Sequence, residues 1–130
     1  MIAVDTSVLV RAFVGDHPEQ SAAARKWIAS HQVTGIVVDH IVLVELAWVL
    51  RARYRQPRSE IVRAIELLLA TSGVVIPDDE LVRTALAAYK AGRGDLADHL
   101  IRERTSALGF APVTTFDEAL LGVRGFAKPR

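Results

Sequence analysis

The chain has 130 residues, 51% of them hydrophobic and 24% charged, with a formal net charge of +1; this is the composition of one folded domain, 1–130, large enough to bury a core without staples. Zero cysteines exclude a disulfide framework and a cysteine-based zinc site. No apolar run reaches the roughly 18 residues of a membrane span and no basic-then-apolar leader opens the chain, so a soluble cytoplasmic protein is expected.

Ile2–Val4 reads as a buried first strand that delivers Asp5 to its C-terminal tip, followed by a short helix over Ser7–Phe13. Gly15-Asp16-His17-Pro18 makes a turn, and Pro18 suits the first position of a helix running to about Ser30, with Ala23, Ala24, Trp27 and Ile28 as its candidate buried stripe. Gly35–Asp39 is a second strand, and the helix after it runs to about Tyr54, stopped by Gln56-Pro57. Ser59 is the candidate N-cap of the next helix, where Ile61, Ile65, Leu68 and Leu69 fall at helical spacing.

Gly73–Pro77 is a short strand, and Asp78 or Asp79 starts a helix with Val82, Leu86 and Tyr89 on one side. Gly92-Arg93-Gly94 breaks the chain before a helix from about Asp95 to Ala107. Ala111–Thr115 gives a fourth strand, Asp117 caps a last short helix, and the tail is expected to be loosely held. Strands alternating with helices predict an α/β fold, a three-layer α/β/α sandwich with a mostly parallel sheet of four to five strands. Ligands of such sheets sit beyond the C-terminal strand ends, where Asp5 and Asp117 fall, while Glu45 and Asp98 would reach in from helices.

Four acids therefore stand out. Asp5 follows Met1-Ile2-Ala3-Val4, Glu45 is the only charge in Ile41–Leu50, Asp98 lies in Ala97-Asp98-His99-Leu100-Ile101, and Asp117 follows Val113-Thr114-Thr115-Phe116. An acid in an apolar setting costs several kcal/mol unless a positive partner offsets it, and several acids converging would repel one another. A divalent cation resolves both difficulties, and hard cations such as Mg²⁺ or Mn²⁺ favour carboxylate oxygens. Each acid also has a structural alternative: a helix N-cap for Asp5 and Asp117, and a salt bridge to an arginine for Glu45. Asp95, directly after Gly94 and one turn before Asp98, suits the N-cap and dipole role better than Asp98 does.

The small net charge says nothing about nucleic acid, but its distribution is uneven. Arg51, Arg53, Arg55, Arg58 and Arg63 cluster after the Glu45 segment, and Arg124, Lys128 and Arg130 form a basic tail. Such a cluster is either a solvated helix end or a phosphate track. Trp27 and Trp48 fall in apolar helical stripes and are read as core residues rather than as a base-stacking platform.

Taken in order, Val4-Asp5-Thr6-Ser7-Val8-Leu9, Val44-Glu45-Leu46-Ala47-Trp48-Val49-Leu50, Asp95-Leu96-Ala97-Asp98-His99-Leu100-Ile101 and Thr114-Thr115-Phe116-Asp117 resemble the PIN-domain family, in particular its VapC-type ribonuclease toxins. The resemblance covers essentially the whole chain as a single PIN domain. It implies a metal-dependent endoribonuclease, with Asp5, Glu45 and Asp98 as core metal-binding and catalytic acids and Asp117 as the more variable fourth. Asp98 is preferred over Asp95 because it directly precedes the His-Leu-Ile stretch; Asp95 could contribute through water. Thr6 or Ser7 could help hold a metal-bound water, and Thr115 could orient Asp117.

Phosphodiester hydrolysis needs a water made nucleophilic near neutral pH and a stabilised leaving oxygen, both within reach of bound Mg²⁺ or Mn²⁺. No histidine base is then required, and His40 and His99 are expected to be structural. Arg11, Arg51, Arg53 and Arg55 are candidate contacts to RNA phosphates. The resemblance further implies a cognate antitoxin over the active-site groove, placed between the Ala22–Ser30 helix and the Glu45 helix, and a toxin homodimer. A mean hydropathy of +0.25 leaves apolar residues for an interface, with the Ile61–Leu69 and Leu81–Tyr89 helices as candidates. The alternatives are a PIN nuclease of RNA processing and a non-catalytic RNA-binding module. A phosphoacceptor receiver domain is not expected, since no acid pair stands near the chain start and only Arg130 follows Lys128-Pro129.

Overall fold

The computed structural model describes residues 1–130, and the chain divides into two compact units, Met1–Pro77 and Asp78–Arg130. The first unit holds β1 (Ile2–Ala3), α1 (Thr6–Phe13), α2 (Pro18–His31), β2 (Ile36–Val37), α3 (His40–Ala52), α4 (Arg58–Ala70) and β3 (Val74–Val75). The second holds α5 (Asp79–Lys90), α6 (Leu96–Ala107), β4 (Val113–Thr114) and β5 (Phe126–Ala127). No helix is long and apolar enough to cross a membrane.

The expected α/β fold is present, with every strand pairing parallel. The strands form two sheets rather than one ladder: β1-β2-β3 in the first unit and β4-β5 in the second. In the first, Ile2 pairs with Ile36 and Ile36 with Val74, while Ala3, Val37 and Val75 form the next row. Two helices make each crossover, as parallel neighbours require a long connection. The ladders are short but continue by one bond on the C-terminal side, Val4 N–H to Val37 O at 3.1 Å and Val38 N–H to Val75 O at 2.9 Å. Asp5 and Asp39 follow those last bonded residues, so both leave the sheet at the same end and in the same register.

Apolar periodicity explains most of the packing. Leu43, Leu46, Ala47 and Leu50 of α3 and Ile61, Val62, Ala64, Ile65 and Leu68 of α4 are buried with Leu9, Val10, Ile36, Val38 and Ile76. Each such large side chain taken from water contributes roughly 1.5–3 kcal/mol. In the second unit Val82, Ala85, Leu86 and Tyr89 of α5 are buried, as are Leu96 and Leu100 of α6. The stripes of α4 and α5, two expected dimer surfaces, are thus largely consumed by the protein's own core.

Several local expectations fail for identifiable reasons. β1 is the edge of its sheet, so Ile2 and Ala3 are exposed and only Val4 is buried. Ser21 and Ala24, not Ala23, are the buried residues of α2, and Trp27 is half-buried, stacked on His31 at 4.5 Å. Trp48 is not a core residue at all, being 57% exposed. α4 begins one residue before Ser59, with Pro57 at its N-cap. Asp117 caps no helix; residues 118–125 run through turns. The tail is not loose either: its Phe126–Ala127 segment pairs with Val113–Thr114.

Candidate functional site

In the first unit the strand-to-helix turn after β1 supplies two adjacent groups. Asp5 occupies the N-cap position of α1 with extended backbone, φ −89° and ψ 159°, yet its carboxylate makes no capping hydrogen bond. The side chain is exposed, and Ser7 Oγ donates to its Oδ2 at 3.2 Å. The N-cap alternative for Asp5 is therefore not used by this fold. Thr6, buried at the start of α1, donates its hydroxyl to Glu45 Oε1 at 3.1 Å across 39 residues of sequence. The apolar run around Glu45 suggested a buried charge, but helical geometry turns Glu45 outward while Leu43, Leu46 and Ala47 face the core. Thr6 and Ser7 thus each hold a carboxylate.

In the second unit Asp95 and Asp98 form a capping box at the start of α6. Asp98 Oδ2 accepts from the Asp95 backbone N–H at 2.8 Å, and the Asp95 carboxylate accepts from the Asp98 backbone N–H. The two roles separated on sequence are therefore joined: Asp95 is the N-cap, and Asp98 completes the box with one oxygen. Gly94, at φ +73°, makes this possible, because a Cβ there would stand 2.6 Å from Leu120 Cδ2 and 3.3 Å from Asp98 Oδ2.

His99, next to Asp98, is buried between two fixed partners. Arg102 Nη1 donates to its Nδ1 at 3.1 Å, so the ring proton resides on Nε2 and is donated to Arg93 O at 2.6 Å. Arg102 is itself buried, donates to Glu103 Oε2 at 2.9 Å, and lies 5.6 Å from the centre of the Phe126 ring. A Cβ on Gly125 would collide with the Arg102 side chain. His40 is likewise buried, hydrogen-bonded through Nε2 to Pro77 O. Both histidines are engaged as structural groups, in line with the sequence expectation.

Asp117 is exposed, its N–H donating to Thr115 Oγ1 at 2.9 Å and its Oδ1 accepting from Ala119 N–H at 2.9 Å. Thr115 therefore fixes the turn that carries Asp117. Within neither unit do three His, Asp or Glu side chains gather on one point. The first unit brings Asp5 near the Thr6–Glu45 pair in sequence and structure; the second carries Asp95, Asp98 and Asp117. Among the arginines, Arg11 is tied by Nη1 to Asp16 at 3.2 Å and by Nε to Gln20 Oε1 at 2.6 Å. Arg51 and Arg53 are exposed at the end of α3, and Arg55 is exposed in the following turn with φ 52°.

Sequence reasoning missed Asp39 as the structural counterpart of Asp5. Its Oδ2 accepts from Ile41 N–H at 2.8 Å and caps α3. Its position after the second strand and before a helix was the signal that could have found it.

The donor chemistry suits a hard divalent cation. In the first unit Asp5 and Glu45, and in the second Asp98 and Asp117, are anionic oxygen donors, each with one oxygen already oriented by a neighbouring O–H or N–H. No curated protein sequence matches the chain at a significant level. The family profile of the PIN domain, however, matches residues 2–125, which takes in all four acids. PIN domains are typically nucleases that hydrolyse phosphodiester bonds, generally with divalent metal ions. With nearly its whole length matched, this chain belongs to the PIN-domain family.

Proposed function

We propose that the chain is a metal-dependent endoribonuclease, a VapC-type toxin of a toxin–antitoxin pair, in which Asp5, Glu45, Asp98 and Asp117 hold Mg²⁺ or Mn²⁺. The observation that carries this reading is Asp5: a carboxylate at a strand tip, in an N-cap position, that caps nothing. A residue placed for one stabilising role and not used in it is available for another. The chemistry that such an ion supplies is activation of water for in-line attack and neutralisation of charge at the phosphate.

The chain's own residues do the positioning. Ser7 steadies Asp5, Thr6 fixes the rotamer of Glu45, the Asp95 N–H holds one oxygen of Asp98, and Thr115 sets the turn at Asp117. The first three bonds each engage one carboxylate oxygen, as Ala119 N–H does for Asp117, and leave the other for a cation, the arrangement by which outer partners orient metal ligands. Arg51, Arg53 and Arg55 are the proposed phosphate contacts at the end of α3, with Arg11 contributing only if it exchanges Asp16 for phosphate.

A cognate antitoxin covering the α2–α3 side and a toxin homodimer belong to the same reading, as does a cytoplasmic location. The test is direct. Purified protein should cleave RNA with Mg²⁺ or Mn²⁺ and lose that activity in excess EDTA or as Asp5→Asn. Expression should arrest growth, and co-expression of the neighbouring gene should restore it. A wild type that cleaves RNA in vitro but is harmless on expression would instead identify an RNA-processing PIN nuclease. Full activity in EDTA would sink the metal assignment.

A further inference from the structure

Trp48 was expected in the core, yet it is 57% exposed, and Ile41 on the same helix is 63% exposed. Ile41, Glu45, Trp48 and Ala52 follow the i, i+4, i+7, i+11 spacing of one helical face, and all four are exposed, while Leu43, Leu46, Ala47 and Leu50 bury the opposite side of α3. Trp48 therefore stands one turn beyond Glu45 on the same outward stripe, followed along the helix by Arg51. An isolated exposed apolar residue is ordinary, but an indole and an isoleucine bracketing a charged residue of the candidate site are a built surface.

We propose that Trp48 is the stacking platform for an unpaired base of single-stranded RNA next to the bond that is cut. This rests on the nuclease reading and gives it a substrate-binding residue. Two physical arguments favour a nucleobase over an apolar protein surface that brings no positive charge to Glu45. A protein surface covering both Ile41 and Trp48 would also desolvate Glu45 between them, a cost of several kcal/mol without a cation or a paired base. A base stacked on Trp48 leaves Glu45 open toward the phosphate and its counter-charge. The exposed Arg51 and Arg53 beyond Trp48 supply positive charge on the side where the strand's phosphates continue. Stacking on an indole face also needs no hydrogen-bond readout, so it selects unpaired over paired RNA rather than one base over another.

The experiment is cleavage kinetics with Mg²⁺ or Mn²⁺ on an unstructured RNA of about 12 nucleotides, alongside variants bearing a single abasic site at each position near the cut. Trp48→Ala should raise KM about 10-fold with kcat changed far less, and Trp48→Phe should retain most of the wild-type KM. One abasic position should weaken wild-type cleavage about 10-fold and leave Trp48→Ala no worse than it already is. Melting temperature and size-exclusion profile of Trp48→Ala should match wild type. An unchanged KM, or an abasic profile identical in wild type and Trp48→Ala, overturns the stacking role alone. A changed oligomeric state with that same unaltered abasic profile assigns the face to protein contact instead. A wild type that cleaves no RNA with either cation overturns the nuclease reading and this one together.

Discussion

Asp5 and Asp39 are a matched pair with opposite uses. Each follows the last hydrogen-bonded residue of a parallel strand, in the same register, and each sits in extended backbone at the N-cap of a helix, with ψ 159° and 154°. Asp39 bends back to accept from Ile41 N–H and stabilises α3, whereas Asp5 leaves the first N–H groups of α1 uncapped by its side chain and is met instead by Ser7. Local sequence does not distinguish them, since both are aspartates between an apolar strand and a helix. The difference lies in what stands beside each: Thr6 and Glu45 next to Asp5, and the His40–Pro77 anchor next to Asp39. Strand tips of this kind place carboxylates, and the surroundings decide whether they cap the helix that follows.

The sharpest way to break that contrast is to neutralise each aspartate. Asp5→Asn should reduce RNA cleavage by more than roughly 100-fold, since residues that merely orient metal ligands already cost 10–100-fold. It should melt no lower than wild type, because the Asp5 carboxylate makes no capping bond for the change to remove. Asp39→Asn should cleave within a few-fold of wild type, asparagine being an equally good cap. Equal loss in both would remove the distinction.

The second unit supplies the next largest effect, on stability. Arg102→Met should lower unfolding free energy by about 3 kcal/mol in denaturant melts, because Glu103 and His99 Nδ1 lose their buried partner. Asp95→Asn should be mild by comparison, keeping the N-cap, while Asp98→Asn should fall with Asp5→Asn in activity; the reverse order would make Asp95 the ligand.

Smaller effects sharpen the comparison further. Thr6→Val should cut cleavage about 10-fold by freeing Glu45, with little change in melting temperature. Asp39→Ala should cost about 1 kcal/mol of stability through the lost cap, while Asp5→Ala should cost less than about 0.5 kcal/mol, having no cap bond to lose. Thermal melts of the two alanine variants side by side test this.

Much of this is legible in the sequence. The order of strands and helices, the parallel pairing and the buried stripe Ile61, Ile65 and Leu68 follow from apolar periodicity, which is local. The errors lie where distant groups decide. Asp117 reads as a helix cap, but its backbone is held by Thr115 in a turn, and the 118–125 segment is directed toward strand β5 rather than into a helix. The tail reads as loose because nothing in Phe126-Ala127 announces a partner; its place comes from pairing with Val113–Thr114 and from the Arg102 guanidinium against the Phe126 ring. Trp48 reads as core because its neighbours are apolar, whereas the phase of α3 turns it outward with Glu45.

Sequence alone singled out four acids that could carry chemistry, in short motifs that resemble the PIN domain, and the match over residues 2–125 shows the family membership itself. It also determined the α/β alternation, because helix and strand periods are properties of neighbouring residues. Only the tertiary structure decided what each acid does with its oxygens: Asp39 spent on a cap, Asp98 shared with a capping box, Glu45 turned to Thr6, and Asp5 left without a cap bond. The reason is physical. Hydrogen-bond partners separated by tens of residues meet only after the chain has packed, and a carboxylate's role is set by the partners it meets.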